Sequence, residues 1–481
     1  MFFSKRNKEA SVFYSTAAAA RSLRHGFGGE ANTDLILKSF VSADGRELLL
    51  ACVNGMTDEA RIDEFILKPL MGSFCNGLSA EQIARRYIEV SEVSFERDIE
   101  KALSSVAAGM SALFLEGGSE CILVETRGFE KRAVSEAMNE SVVLGPKESF
   151  AENLRTNITL VRRMIKRPRL IAEMLELAEN TPAALMYVDG ETDPELLDQI
   201  RARLARIPSG VLLTNGTVEQ LIEDRSLLPL PRILSTERPD RAASHILNGR
   251  AALLIDGSPF ALVMPVTLFS LMNSPEDVYL RPPLGSVLRF VRYLGALISV
   301  LMPGYFLALA LYHQGMLTTE VLSTVIASRK MVFEPITVEM ILLLVIFQLI
   351  REAGMRVPGP IGQAIGIIGG LIMGQAAVTA HLASSVVLII VAASGLGNFC
   401  IPDYSTQLAA SYFRIAGVAA ARLGGLLGLS AAGLFALCEL ADTESFGTPY
   451  LEPLSPCEKS KRPKLFRGKI GNTGGAGEGR S

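Results

Sequence analysis

The chain has 481 residues, of which 49% are hydrophobic, and a formal net charge of −3 at pH 7. This near-neutral balance creates no basic field for nucleic acid, so we expect no nucleic-acid partner. The six cysteines form no Cys-x-x-Cys pair, which argues against a disulfide framework and against a zinc site.

Residues 1–33 are weakly patterned and are expected to form a flexible or accessory segment. They lack the long apolar core of a secretory signal, so the soluble part of the chain is expected to stay in the cytoplasm.

Residues 34–150 are predicted to form a first α/β subdomain. Two apolar runs, 35–41 and 47–53, flank a turn-like Ser42–Gly45 and predict a strand pair. Asp58 is placed to cap a helix that reaches Leu70. A second helix is predicted over 80–90, and a hairpin over 112–115 and 121–124.

Residues 151–245 are predicted to form a second α/β subdomain, introduced by a helix over 150–165. A strand at 184–188, a helix at 194–207 and a strand at 211–214 follow in β–α–β order, which predicts a parallel pair. Residues 246–284 are expected to be a connector and interfacial segment that includes one more strand at 251–255.

The soluble half contains no catalytic constellation. The glycines at 26–29 lack the Gly-Lys-Ser/Thr ending of a phosphate-binding loop. Residues 256–258 lack the spacing of a serine elbow, and the four histidines are far apart. We therefore predict no catalytic, cofactor-binding or metal-binding residues, and a protein that is not an enzyme.

Residues 285–440 predict a helical transmembrane domain, because about 20 apolar helical residues cross a hydrocarbon layer. Pro303 lies inside the first predicted span, as a kink or as the break of a discontinuous helix. The basic, partly disordered tail 441–481 is expected near anionic membrane lipid on the cytoplasmic side. The candidate spans are residues 293–312, 336–350, 361–380, 382–401 and 413–440.

The third of these spans is rich in glycine, at the small-xxx-small spacing that lets helix backbones approach closely. Close helix packing is one interpretation, and a ring of such helices around a pore with an apolar constriction is the other. The candidate pore or packing residues are Gly366, Ile367, Ile368, Gly369, Gly370, Met373 and Gly374.

Three polar residues are candidates for intramembrane roles: Glu339, Gln348 and Arg422. A charged group facing lipid is costly, so Arg422 is expected to be buried against Asp403, Glu439 or water. With both ends inside, the number of crossings must be even. The segment 336–350 is therefore favoured as an incomplete crossing, with residues 260–271 as an alternative sixth.

Several segments together resemble the GerA family of spore germination receptor A subunits, which includes a sporulation-stage branch. The resemblance covers residues 34–455. The segments that carry it are 145–157, 236–240, 256–260, 274–279, 327–329, 349–358 and 361–374.

The resemblance implies a multi-pass protein of the spore inner membrane. It would act with a permease-like B subunit and a lipoprotein C subunit, and would homo-oligomerise into a cation channel that opens early in germination. The chain departs from the family pattern at Leu344 and Gln348, where glutamates are usual, and at Lys330, where an acidic residue is usual. The alternatives are a non-conducting scaffold subunit and a solute transporter.

Overall fold

A computed structural model describes residues 13–128, 140, 145–211, 214–224, 229–274, 276–356 and 360–455. The side chains at 179, 278, 282, 355–356, 360–368 and 371 lie outside this description. The chain divides into two compact units. The first comprises residues 1–224 and 233–265, and the second comprises 225–232 and 266–481.

The first unit begins with a five-stranded antiparallel sheet in the order β1-β2-β4-β5-β3. Its strands are β1 (Leu35–Val41), β2 (Glu47–Val53), β3 (Val93–Glu96), β4 (Ser111–Leu115) and β5 (Cys121–Val124). Its helices are α1 (Thr16–Gly26), α2 (Glu59–Ile62, the π-helical Asp63–Leu67 and Lys68–Met71), α3 (Ala80–Tyr87) and α4 (Ile99–Ala107). The predicted strand pair and hairpin are confirmed.

Local sequence explains where these elements start and turn. Gly45 has φ +85° in the turn between β1 and β2, a conformation that disfavours a side chain. Asp58 accepts a hydrogen bond from the backbone N–H of Arg61 and so caps α2 as predicted. Ser79 and Gln82 form a reciprocal capping box at the start of α3.

The N-terminal segment belongs to this sheet's core. Ala19, Leu23 and Phe27 of α1 and its flank are fully buried in the cluster that also contains Leu49 and Phe114. Of the two alternatives for residues 1–33, flexible or accessory, the described part forms an accessory helix and not a flexible segment. The apolar face of α1 covers one side of the sheet, so the helix is ordered by burial.

The second sheet of this unit is also antiparallel, in the order β6-β7-β9-β10-β8. Its strands are β6 (Leu170–Leu177), β7 (Thr181–Val188), β8 (Leu234–Thr236), β9 (Ala251–Ile255) and β10 (Ala261–Met264). The associated helices are α5 (Leu154–Met164), α6 (Pro194–Leu204), α7 (Asn215–Ile222) and α8 (Pro239–Ile246).

Three sequence-based expectations change here. The predicted parallel pair is wrong, because β7 pairs antiparallel with β6 and β9, while residues 212–213 of the second predicted strand lie outside the described part. The boundary at 245 is wrong, because β9 pairs with both β7 and β10. Residues 260–271 do not supply a crossing, because 261–264 form the buried strand β10.

A buried ion pair joins the two halves of this unit. Arg162 of α5 is 1% exposed and binds both carboxylate oxygens of Asp34, with 2.8 Å between Nη2 and Oδ1. The same Nη2 donates to the carbonyl of Leu170 at 2.9 Å. Bidentate pairing of this kind fixes geometry as well as charge, so α5 and β6 are held against the residue that precedes β1.

The second unit is helical. After two short helices, α9 (Leu268–Leu271) and α10 (Glu276–Tyr279), come α11 (Pro282–Tyr312), α12 (Thr319–Arg329), α13 (Ile336–Arg356), α14 (Pro360–Thr379), α15 (Ser385–Phe399) and α16 (Tyr404–Asp442). Within the described residues, α11 and α16 are long and apolar enough to cross a membrane by length and composition, and α15 is a shorter apolar helix.

The helix α16 is two helices joined at a reversal. Gly425 has φ +59° and ψ −139°, which is not helical. Leu429, twelve residues after Gly417, comes so close to it that a Cβ there would lie 3.5 Å from the leucine side chain. A straight helix would separate these residues by about 18 Å, so the two halves of α16 run antiparallel.

Contacts between helices give the direction of the other helices. Gly295 packs on Gly397 and Cys400 while Ser299 accepts from Ser394, so α11 and α15 are antiparallel. Glu339 bonds Ser384 and Phe347 packs on Gly395, so α13 and α15 are parallel. The helix α14 returns between them.

The described helices therefore make six alternating passes, counting α16 twice. The expectation that 336–350 is an incomplete crossing stays a prediction. The helix α13 has 21 residues and is about 30 Å long, but it is not one of the two described helices that are apolar enough to cross a membrane. The reversal at Gly425 supplies the sixth pass of the bundle.

The beginning and the end of this helical unit are tied together. A two-stranded hairpin, β11 (Glu444–Ser445) and β12 (Thr448–Pro449), follows α16. Ser445 Oγ donates to the carbonyl of Arg232 at 2.7 Å, and Tyr450 Oη donates to that of Pro231 at 2.9 Å. The backbone N–H of Val266 donates to Ser445 Oγ at 3.1 Å. Both ends of the bundle thus lie on one side of it, as an even number of passes requires.

Candidate functional site

The candidate pore residues in the described half of α14 are poorly covered by the rest of the protein. A Cβ built on Gly369 or Gly370 would meet no atom of the described residues within 4 Å. Met373 is 49% exposed and Ile372 is 59% exposed. Gly374 lies one helical turn after Gly370, and a Cβ there would lie 3.5 Å from Leu388 of α15. The helix α14 therefore contacts α15 at Gly374, whereas the described residues leave the backbone at Gly369 and Gly370 uncovered.

The remaining candidates of that helix are Gly366, Ile367 and Ile368. They belong to α14 by backbone conformation, and their side-chain surroundings lie outside the described residues. Their assignment to a constriction stays a prediction.

Glu339 is a buried carboxylate near the start of α13 that contacts two other helical segments. Its side chain is 0% exposed, and Oε1 accepts both the backbone N–H and the hydroxyl of Ser384 at 2.6 Å. Its Oε2 lies 3.3 Å from Arg329 Nε, an ion pair without aligned hydrogen-bond geometry. The carboxylate therefore holds the end of α12 and the start of α15 against α13.

Gln348 lies near the other end of α13, one helical turn before a buried arginine. Its Oε1 is buried without a hydrogen-bond partner. Arg351 follows three residues later and is 7% exposed, and Arg414 of α16 is 1% exposed. Sequence reasoning missed both arginines as a pair, because they are distant in sequence. Only the charge of each within an apolar stretch could have indicated them.

Arg422 is not where it was expected. It is exposed, three residues before the reversal at Gly425, and its Nη1 donates to Tyr312 Oη at 3.3 Å. Tyr312 Oη in turn donates to the Arg422 carbonyl at 2.7 Å. Neither proposed partner is in place, since Asp403 caps α16 by accepting from Thr406 and Glu439 lies in the second half of α16. The reversal moves Arg422 from mid-helix to a helix end.

The fold and these features define a membrane protein in which a mixed α/β unit with two antiparallel sheets is followed by a helical bundle. Its helices pack through glycines and enclose charged side chains. The chain belongs to the family described as Bacillus/Clostridium GerA spore germination protein, whose model matches residues 21–472.

Curated relatives agree over nearly the full length. Spore germination protein A1 of Bacillus subtilis (strain 168) is 35% identical over 424 residues, covering 88% of this chain and 87% of that protein. Spore germination protein KA of the same organism is 32% identical over 470 residues, covering 96% and 86%. The predicted family resemblance is confirmed.

Among solved structures, the N-terminal domain of the A subunit of the Bacillus megaterium spore germinant receptor GerK3 is similar to part of the chain. It is 29% identical, with a TM-score of 0.41, and the match covers 51% of this chain and 93% of that one.

Proposed function

We propose that this protein is the membrane-embedded A subunit of a nutrient-responsive germinant receptor. Family membership and the names of the relatives support this role. In this proposal it lies in the spore inner membrane with its two-sheet unit in the cytoplasm. It assembles there with a permease-like B subunit and a lipoprotein C subunit.

Within that receptor, copies of the chain oligomerise through α14 into a gated cation pore. The observation that carries this proposal is the open surface of α14 at Gly369 and Gly370, where an added Cβ would meet no atom of the described residues within 4 Å. Exposed Gln375 lies on the same stretch of helix. Lipid gives no hydrophobic drive for helix association, so bare glycine backbone and a polar amide favour contact with another helix or with water.

The exposed thioether of Met373 is positioned to narrow such a pore. An apolar ring blocks ions by dewetting until the helices that carry it move apart. Replacing Met373 with alanine would widen the ring and lower this barrier. The matched control is Met331, which is 63% exposed but lies in the loop after α12.

The test is monovalent cation flux from liposomes that contain the purified chain. We expect Met373→Ala to increase the basal flux severalfold and Met331→Ala to leave it unchanged. Equal flux through both variants and the parent would contradict a constriction at Met373.

Oligomerisation is tested separately by chemical cross-linking in the same liposomes. Gly370→Leu should reduce the cross-linked oligomer, because a leucine there separates the backbones. Gly433→Leu is the matched control, since a Cβ at Gly433 also meets open space but on another helix. Oligomers that form without any cation flux would instead favour the non-conducting scaffold, for which the missing carboxylates at Leu344 and Gln348 are the supporting observation.

A further inference from the structure

Two arginines are buried in the helical unit without a carboxylate to neutralise them. Arg414 is 1% exposed and Arg351 is 7% exposed. Among the described residues, no aspartate or glutamate oxygen lies within 4 Å of either guanidinium group. By contrast, Arg162 and Arg238, which are equally buried, are each paired with an aspartate.

The neighbours that do contact these guanidinium groups are neutral. The Asn398 side-chain oxygen accepts from Arg351 Nη1 at 2.7 Å. Arg414 Nη1 donates to Ser394 Oγ and Nη2 to Ser411 Oγ, both at 3.2 Å. Ser411 Oγ lies 3.3 Å from the same Asn398 amide, so one polar chain links the two arginines.

Several donors of this cluster remain unused. Arg351 Nε and Nη2 and Arg414 Nε are buried without a hydrogen-bond partner. Ser299 Oγ, on the helix that packs against Ser394, is also buried without one. A buried polar group without a partner is destabilising, and an unpaired charge is more so.

The two positive charges also repel each other, and the acidic groups of Tyr404 and Glu352 act on Arg351 only from farther away. A buried charge that lacks a compensating partner is strongly destabilising. A cluster with two such charges is therefore incomplete without a negative group.

We propose that Arg351 and Arg414 together hold one small monovalent anion, with the unused guanidinium N–H groups and the Ser299 hydroxyl as its donors. The anion is small because α11, α13, α15 and α16 enclose the site and both arginines are almost fully buried. Halide ions and short carboxylates share this chemistry, and the experiment separates them.

The test uses the full-length protein in detergent micelles at constant sodium concentration and ionic strength. Thermal unfolding is measured in gluconate, which is too bulky for the site, and then in chloride or in acetate. We expect the midpoint to rise saturably, by about 5 °C at a hundredfold excess over Kd, in at least one of the two small anions. A rise in chloride alone identifies a halide site, and a rise in acetate identifies a carboxylate site.

Variants locate the response. Arg414→Gln should remove it, and Arg422→Gln should keep it, because Arg422 is an exposed arginine of the same helix. The proposal is overturned if gluconate, chloride and acetate give the same midpoint, or if Arg414→Gln responds like the parent. Loss of the response in Arg422→Gln would also overturn it, since the anion would then act on surface charge.

Gln348→Glu keeps the proposal testable even where Arg414→Gln does not fold. Glutamate has the shape of glutamine and places a carboxylate one helical turn from Arg351. In gluconate, the unfolding midpoint of this variant should equal that of the parent saturated with chloride. Adding chloride or acetate should then leave the midpoint of the variant unchanged. A Gln348→Glu protein that retains the full anion response would refute the site.

Discussion

Removing strands β9 and β10 should abolish cooperative folding of the two-sheet unit. The informative perturbation is a pair of truncations, one that ends at residue 265 and one that ends at residue 245. The shorter chain keeps α1 to α7 and all but the last residue of α8, but it loses β10 and also β9, which lies between β7 and β10 in the second sheet. It also leaves β7 and β8 with unpaired edges.

The size of the effect follows from burial. Six large apolar side chains on these strands are 0% exposed: Leu253, Leu254, Ile255, Leu262, Val263 and Met264. Full burial of such a side chain contributes about 1.5–3 kcal/mol, so their loss costs about 9–18 kcal/mol. A typical domain has only about 5–15 kcal/mol of stability, so the shorter chain should not fold.

Urea unfolding followed by circular dichroism distinguishes the two truncations. The chain that ends at 265 should show one sigmoidal transition, and the chain that ends at 245 should lose its second sheet and show none. As a graded control, Leu253→Ala in the longer chain should lower stability by about 2–5 kcal/mol. A cooperative transition of equal midpoint in the shorter chain would refute this reasoning.

Three further predictions concern charged groups. Burial, followed by two nearby arginines, holds the pKa of His245 well below its usual value. At low pH the unfolded chain therefore binds one more proton at this residue than the folded chain does. The free energy of unfolding of the two-sheet unit should fall as the pH drops below about 6.5. In urea titrations at pH 5 to 7, His245→Gln should weaken this dependence of stability on pH. Glu339→Ala should destabilise the full chain in micelles by about 3–5 kcal/mol because Arg329 loses its partner, whereas exposed Lys330→Ala should have no effect on the melting curve. Asp34→Ala should lower the free energy of unfolding of the two-sheet unit by a similar amount, because it leaves Arg162 charged and unpaired. A midpoint within 1 °C of the parent would contradict it.

Four strands of the first sheet could be predicted from the sequence because each is a continuous apolar run bounded by a turn. The fifth, β3, was not predicted, because Val93–Glu96 includes a serine and a glutamate among four residues. The runs that became β1, β2, β5 and β9 were placed to the residue. The second sheet was misjudged because β6 carries Glu173 and Glu176 among its apolar residues, which hid its partnership with β7. Without β6, the order β7–α6 looked like the beginning of a parallel unit.

The helical unit was predicted in outline and misjudged at one glycine. The run over 413–440 was treated as one span, so Arg422 was placed at mid-membrane. The signal for the reversal was the Gly424-Gly425 pair within a run longer than one crossing requires. Once the chain turns there, Arg422 lies at a helix end, and Arg414 becomes the enclosed charge.

The tie between the two ends of the helical unit also sets an order of events during synthesis. The carbonyls of Pro231 and Arg232 cannot form these hydrogen bonds until Ser445 and Tyr450, more than 200 residues later, have been synthesised. A ribosome that adds about 5–20 residues per second needs about 10–45 seconds to supply these donors. Helices α11 to α15 thus leave the ribosome before the bundle can be closed, and the hairpin after α16 completes it.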